Sequence, residues 1–179
     1  SGVSNASVAT LVAYAAESAS VDVTDGTIDS TGDASYDLDL TVNSATANHL
    51  VVTGTATMTA GGSNELTITA YDLYGNTATG YTGSKNLTFS GLSSIGGYNP
   101  TVEGANFGTA TSVTFTSGVS NTNAATLVAY AAETSSVDVS DGTIDSTGNA
   151  SYDLDLIVNP ATANHLAVTG TGTMTAGGS

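Results

Sequence analysis

ELTITAYD, residues 65–72, is the stretch that decides how this chain folds. Leu66, Ile68 and Ala70 fall on one face of an extended segment and Thr67, Thr69 and Tyr71 on the other, the period of two that marks a strand with one buried side. It stops at Tyr74-Gly75-Asn76, where a glycine and an asparagine make a strong turn signal.

The same alternation recurs on both sides. Upstream, HLVVTG (residues 49–54) reads as a first strand, with TATMTAGG (55–62) as its second half and a turn. Downstream, KNLTFS (85–90), SVTFTSGV (112–119), ATLVAYAAE (125–133), SVDVSDGTI (136–144) and SYDLDLIV (151–158) follow as strands. AYAAE has helical composition, but five residues between turn signals are too few to nucleate a helix. In the final strand Tyr152, Leu154, Leu156 and Val158 point one way, and Asp153, Asp155 and Ile157 the other. A long connection over residues 91–108, with Gly96-Gly97 and Asn99-Pro100, reads as an irregular crossover between sheets. Short strands at this spacing predict an all-β, antiparallel two-sheet sandwich.

Composition agrees: Ser and Thr are 53 of 179 residues and 40% of residues are apolar, which with the alternation argues against disorder. Residues 1–63 recur as residues 117–179 at an offset of 116, with 11 differences that include Ser44 against Pro160. That is the signature of a tandem array with a 116-residue period. The expected division is 1–47 as the closing strands of a preceding repeat, 48–163 as one complete repeat, and 164–179 as the opening strands of the next. Pro160 stiffens the linker VNPATAN, residues 158–164.

Sixteen acids against one Lys and no Arg give a net charge of −15, which excludes nucleic acid and an anionic membrane surface as partners. No apolar run is long enough to insert in a bilayer. Without cysteine there are no disulfides and no thiolate chemistry. Thirteen of the 16 acids lie in residues 17–39 and 133–155. If the last two strands pair with matched inward faces, Asp138 stands opposite Asp155 and Ser140 opposite Asp153, a face that needs screening or cations. Such outward carboxylates in no recognisable cleft predict no enzymatic activity.

The run AYDLYGNTATGYTGSKNLTFSG (70–91) resembles the A-x-D-x-x-G-N-x-x-x-G-Y-x-G pattern of bacterial immunoglobulin-like repeats, filamin-type and invasin-type, found in very large surface proteins. VDVSDGTIDSTGNASYDLDLIVNPATANHL (137–166) looks like the end of one such repeat and the start of the next. The chain departs from the pattern at AYAAE, where a Lys is expected after the Tyr. The resemblance implies immunoglobulin-like sandwiches in tandem at a cell surface, in a filament, stalk or surface layer that self-associates. The alternative it implies is an adhesin or Ca²⁺-dependent array gripping a glycan or cell-surface receptor.

In an immunoglobulin-like topology Asp72 and Asp145 meet at the pole near the preceding linker, where Asp141, Asn48 and carbonyl oxygens would complete a Ca²⁺ cage. His49 and His165 occupy one position in successive repeats and, with no Cys nearby, suit a junction better than zinc. Lys85 invites an amide cross-link to Asn or Asp, against its plainer reading as an exposed charge. Asn5, Asn86 and Asn149 begin N-x-S/T sequons and are candidate glycosylation sites. The incomplete ends leave unpaired edges that strand donation between subunits would satisfy.

Overall fold

The computed structural model describes residues 3–4 and 9–177. They form an all-β, sandwich-like structure with no helix among the described residues. In chain order the strands are β1 (Ser18–Val21), β2 (Leu38–Thr41), β3 (Ala47–Thr53), β4 (Thr57–Thr59), β5 (Ser63–Glu65), β6 (Thr67–Asp72) and β7 (Gly83–Ser90). Then come β8 (Thr101–Val102), β9 (Ala105–Asn106), β10 (Ala110–Thr116), β11 (Val119–Ser120), β12 (Thr126–Val128), β13 (Thr134–Ser140) and β14 (Leu154–Asn159).

Two sheets share one core. The larger runs β3-β6-β11-β10-β7-β13-β14-β4 and the smaller β5-β12-β8-β9. All pairings are antiparallel except β14 with β4, which is parallel. That exception follows from a switch at residues 54–56. The first strand leaves β6 there and continues against β14 on the far edge of the sheet. The stretch at 65–72 also switches: β5 pairs with β12 in the small sheet, and beyond Leu66 β6 pairs with β3 in the large one. Its alternation survives the change, because Leu66, Ile68 and Ala70 are all buried, joined on the same face by Asp72. Phe89, Phe115, Leu50, Leu127 and Leu156 fill the shared interior, each contributing roughly 1.5–3 kcal/mol by removal from water.

Several strand expectations change in detail. Residues 112–119 are not one strand, since Ser117 and Gly118 both take positive φ (47° and 87°) and make the two-residue turn that folds β11 back onto β10. The connection 91–108 is not irregular throughout: it crosses into the small sheet, where β8 and β9 pair, before returning. Only Thr126–Val128 of residues 125–133 pairs as strand, yet Ala125, Leu127, Ala129 and Ala131 alternate into the interior as that reading requires. The final pair is offset from its expected register. Ser136, not Asp138, faces Asp155 and donates a 2.8 Å hydrogen bond to it, while Asp138 pairs across to Ser90.

The β1–β2 pair stands apart as a two-stranded sheet. Its register, Ser18 with Thr41 through Val21 with Leu38, is that of Thr134 with Ile157 through Val137 with Leu154 moved by 116 residues. Even its side-chain hydrogen bonds are reproduced. Ser30 accepts from Val23 N and donates to Asp22, as Ser146 does with Val139 and Asp138. Asp25 caps Thr27 N and Ile28 N, as Asp141 caps Thr143 N and Ile144 N. The core does not follow: Val21, Val23, Leu38 and Ile28 are exposed, whereas Val137, Val139 and Leu154 are buried. This hairpin is therefore encoded by its own local hydrogen bonds.

Candidate functional site

The densest polar arrangement lies where the preceding hairpin runs into β3. Asp72 ends β6 fully buried, and the turn behind it is closed by Asp72 N donating to Asn76 O (2.9 Å), with Gly75 at φ 87°. One carboxylate oxygen accepts from Tyr74 N and Asn76 N, and the other from Ala45 N and the Asn76 side chain, all at 2.9 Å. Burial alone would raise this carboxyl. The donors from Asn76, Ala45 and Tyr74 overcome that and bring it down to about 2.

Asn76 faces two ways. Besides Asp72, its amide donates to Tyr14 O (2.7 Å) and its oxygen accepts from Ala16 N (2.9 Å). Tyr14 packs its ring on Tyr74 at 4.9 Å. On the other side of the turn Ser44 Oγ accepts from Thr79 N at 3.0 Å and meets Thr79 Oγ1 at 3.1 Å. His49 lies stacked on Tyr152 at 4.1 Å and on Tyr71 at 5.7 Å. Its burial, only partly countered by Asp72, lowers its proton affinity.

The residues expected to form a Ca²⁺ cage are not gathered. Asp72 is committed to the linker and its own turn. Asp141 accepts from Thr143 N, Ile144 N and the Tyr81 hydroxyl (2.8 Å), and Asp145 from Thr147 N (2.9 Å) and the Thr147 hydroxyl. Asn48 is exposed on β3. Among the described residues no three His, Asp or Glu side chains converge as metal ligands would. Lys85 lies 4.6 Å over the Tyr81 ring, which Asp141 holds from its hydroxyl; burial and then that bond push the Tyr81 phenol up. His165 is exposed in the unpaired segment after β14. Asn86 is exposed in β7; Asn149 is exposed, and its side-chain oxygen accepts from Ser151 N and Oγ; Asn5 lies outside the described residues.

Asp138 and Asp153 lie side by side on the acidic hairpin, and one oxygen of Asp153 is enclosed without a partner. Burial, then the hydrogen bond with Asp138 and the charges of Asp138 and Asp155, raises Asp153 from 3.8 to about 6. Its counterpart Asp37 is raised too, by Asp22 first. The stability Asp153 supplies is complete below its unfolded value near 4 and is lost as the pH rises through about 6. Asp72 has the opposite sign: its contribution is present above 3.8 and lost as the pH falls through about 2. Folding is expected to be strongest near pH 4. Asp153→Asn removes the repulsion, raises stability at pH 7 by about 1 kcal/mol after solvent screening, and flattens the change between pH 4 and 6. Urea unfolding at the two pH values measures both effects.

Sequence reasoning expected Asp72 at the pole near the preceding linker but named neither Asn76 as its partner nor Tyr14 as the partner of Asn76. The D-x-x-G-N spacing was legible as a turn; what it binds across 60 residues was not. Compared with known proteins, the chain matches no family model and no curated protein sequence. No helix among the described residues is long and apolar enough to cross a membrane.

Proposed function

We propose that this chain is a stretch of immunoglobulin-like β-sandwich units in tandem, with a period of 116 residues, serving as the structural module of an extracellular filament, stalk or surface layer. The observation that carries this reading is the junction. The segment before β1 and the linker after β2 are both hydrogen-bonded into the turn at the head of the next unit, through Asn76, Asp72 and the Ser44–Thr79 pair. A linker held at two points, beside a neighbouring segment held at a third, is a stiff joint, which a load-bearing rod needs and a loose string of domains does not. The high negative charge keeps neighbouring rods apart. Function here is mechanical: reach, stiffness and self-association.

Electron imaging of the native material tests it. Regular fibres or a layer are expected, with an axial repeat of a few tens of Å set by strands of about eight residues. Flexible chains of separate beads overturn the reading.

A further inference from the structure

The period over residues 48–163 holds two pairs of large apolar side chains that its own core does not use. In the turn after β6, at the head of the unit, Leu73 and Tyr74 are 69% and 54% exposed. In the 91–100 connection Ile95 and Tyr98 are 53% and 63% exposed. The second pair is held outward by a closed local hairpin. Ile95 N donates to Tyr98 O (3.0 Å) and Tyr98 N to Ile95 O (2.9 Å) around Gly96-Gly97, whose φ values of 58° and 86° suit a two-residue turn. Ser94 Oγ donates to Asn99 Oδ1 at 2.6 Å and closes the base. Apolar groups fixed outward in this way mark a contact surface.

The internal repeat identifies what covers them. Tyr98 packs its ring on Tyr130 at 5.2 Å, and Ser93 N donates to Glu133 Oε1 at 2.7 Å, so the hairpin is fastened to ATLVAYAAE, residues 125–133. The same nine residues stand at 9–17. There Tyr14 packs on Tyr74 at 4.9 Å, and Asn76 holds Tyr14 O and Ala16 N. Tyr130 and Tyr14 are one position of the repeat with two different neighbours, the hairpin of its own unit in one case and the head turn of the following unit in the other. Two elements that flank the same ring flank each other wherever two complete units meet.

We propose that in the array the hairpin at 93–99 of each unit closes over the head turn at 73–76 of the next. Tyr130 then lies between Tyr98 of its own unit and the tyrosine that follows at the place of Tyr74, while Ile95 and Tyr98 cover the next unit's counterparts of Leu73 and Tyr74. The asparagine at the place of Asn76 takes Tyr130 O and Ala132 N, as Asn76 takes Tyr14 O and Ala16 N. Charge favours the match. Residues 73–76 and 93–99 contain no charged side chain in a chain of net charge −15, so like-charged units meet there without repulsion. The partner is a second copy of the repeat in the same chain, and the contact continues the one Tyr14 already makes with Tyr74. This deepens the filament reading and rests on its tandem array: to the hydrogen bonds of the linker it adds an apolar clasp that sets the angle between units.

Placing residues 48–116 ahead of residue 1 continues the 116-residue period and completes the preceding unit, which makes the test direct. The chain has no cysteine, so Leu73→Cys in the unit already present gives a single thiol at the head turn, both in the chain as it stands and in the lengthened one. Its alkylation by iodoacetamide is expected to slow about tenfold on lengthening, because a covered thiol is inert. Ile95→Cys in the added unit should slow likewise, whereas Ile95→Cys in the last unit keeps its rate. The double variant Ile95→Asp, Tyr98→Asp in the added unit should restore fast alkylation at Leu73→Cys. An alkylation rate unchanged by lengthening overturns the proposal. So does protection that the double variant leaves intact, or protection that rises with protein concentration and so assigns the turn to a second chain. Fibres in native material together with a fully reactive head turn sink the clasp alone. A protected turn in material that images as separate beads sinks the filament reading alone.

Discussion

Leu50→Ala will destabilise the folded unit by about 3 kcal/mol, while Leu166→Ala will leave its unfolding unchanged. The two leucines occupy equivalent positions of the 116-residue repeat, within the common sequence NHL, so local propensity cannot separate them. Burial can. Leu50 has no exposed surface and packs in the cluster with Ile68, Val139 and Leu156, whereas Leu166 is 93% exposed. Truncating the first removes its transfer free energy and leaves a cavity; truncating the second removes a side chain already in water. Chemical denaturation of both variants below the concentration at which the chain self-associates reads the difference as a shift in midpoint at constant slope. Equal losses would mean that the C-terminal segment is packed in solution.

Gly91→Ala is the second large effect, also about 3 kcal/mol, and its cause is the backbone. Gly91 follows β7 at φ 109°, a conformation that residues with a side chain rarely adopt, and a Cβ there would run into the carbonyl oxygen of Ser136. Neither side can yield cheaply. Ser136 sits in β13 between β14 and β7, and Ser135 Oγ donates to Gly91 O at 2.7 Å. Strain and overpacking therefore add. Gly142 provides the control: its φ of 87° is similarly unfavourable to alanine, yet a Cβ there meets nothing within 4 Å, so Gly142→Ala should cost only about 1 kcal/mol. Urea unfolding of the two variants compares backbone strain with strain plus collision.

Alternation carried most of the fold. Leu87 with Phe89, Val113 with Phe115, and Leu154, Leu156 and Val158 all lie inward as their period of two requires. What it could not carry is where one strand changes sheets. Nothing in ELTITAYD marks Leu66 as the crossing, because a strand that moves from one partner to another keeps its pleat and its buried face. Register failed for a related reason. Asp138 and Asp155 have the right parity to face each other, but the thirteen residues from 141 to 153 form a long loop with its own Asx-type caps, and a two-residue slip preserves parity. At the junction, the turn at Tyr74-Gly75-Asn76 was readable from its residues. The destination of Asn76 was not, since Tyr14 and Ala16 lie about 60 residues away and meet it through backbone groups, which no side chain announces.

The self-sufficient hydrogen bonding of the β1–β2 hairpin has a kinetic consequence. A hairpin with local contacts closes in microseconds, whereas β3, which pairs early with β6, must wait for the hairpin that covers it nearly a hundred residues further along the chain. As each unit leaves the ribosome, its acidic hairpin is ready as soon as it emerges and meets two nearly identical candidate strands, residues 47–59 before it and 163–175 after it. Choosing the later one joins adjacent units in a swapped pair, the characteristic misassembly of tandem domains with similar sequences. The earlier strand has a head start, because it is already paired with β6 when the hairpin arrives. Order of synthesis thus supplies a discrimination that the sequences of the two strands do not.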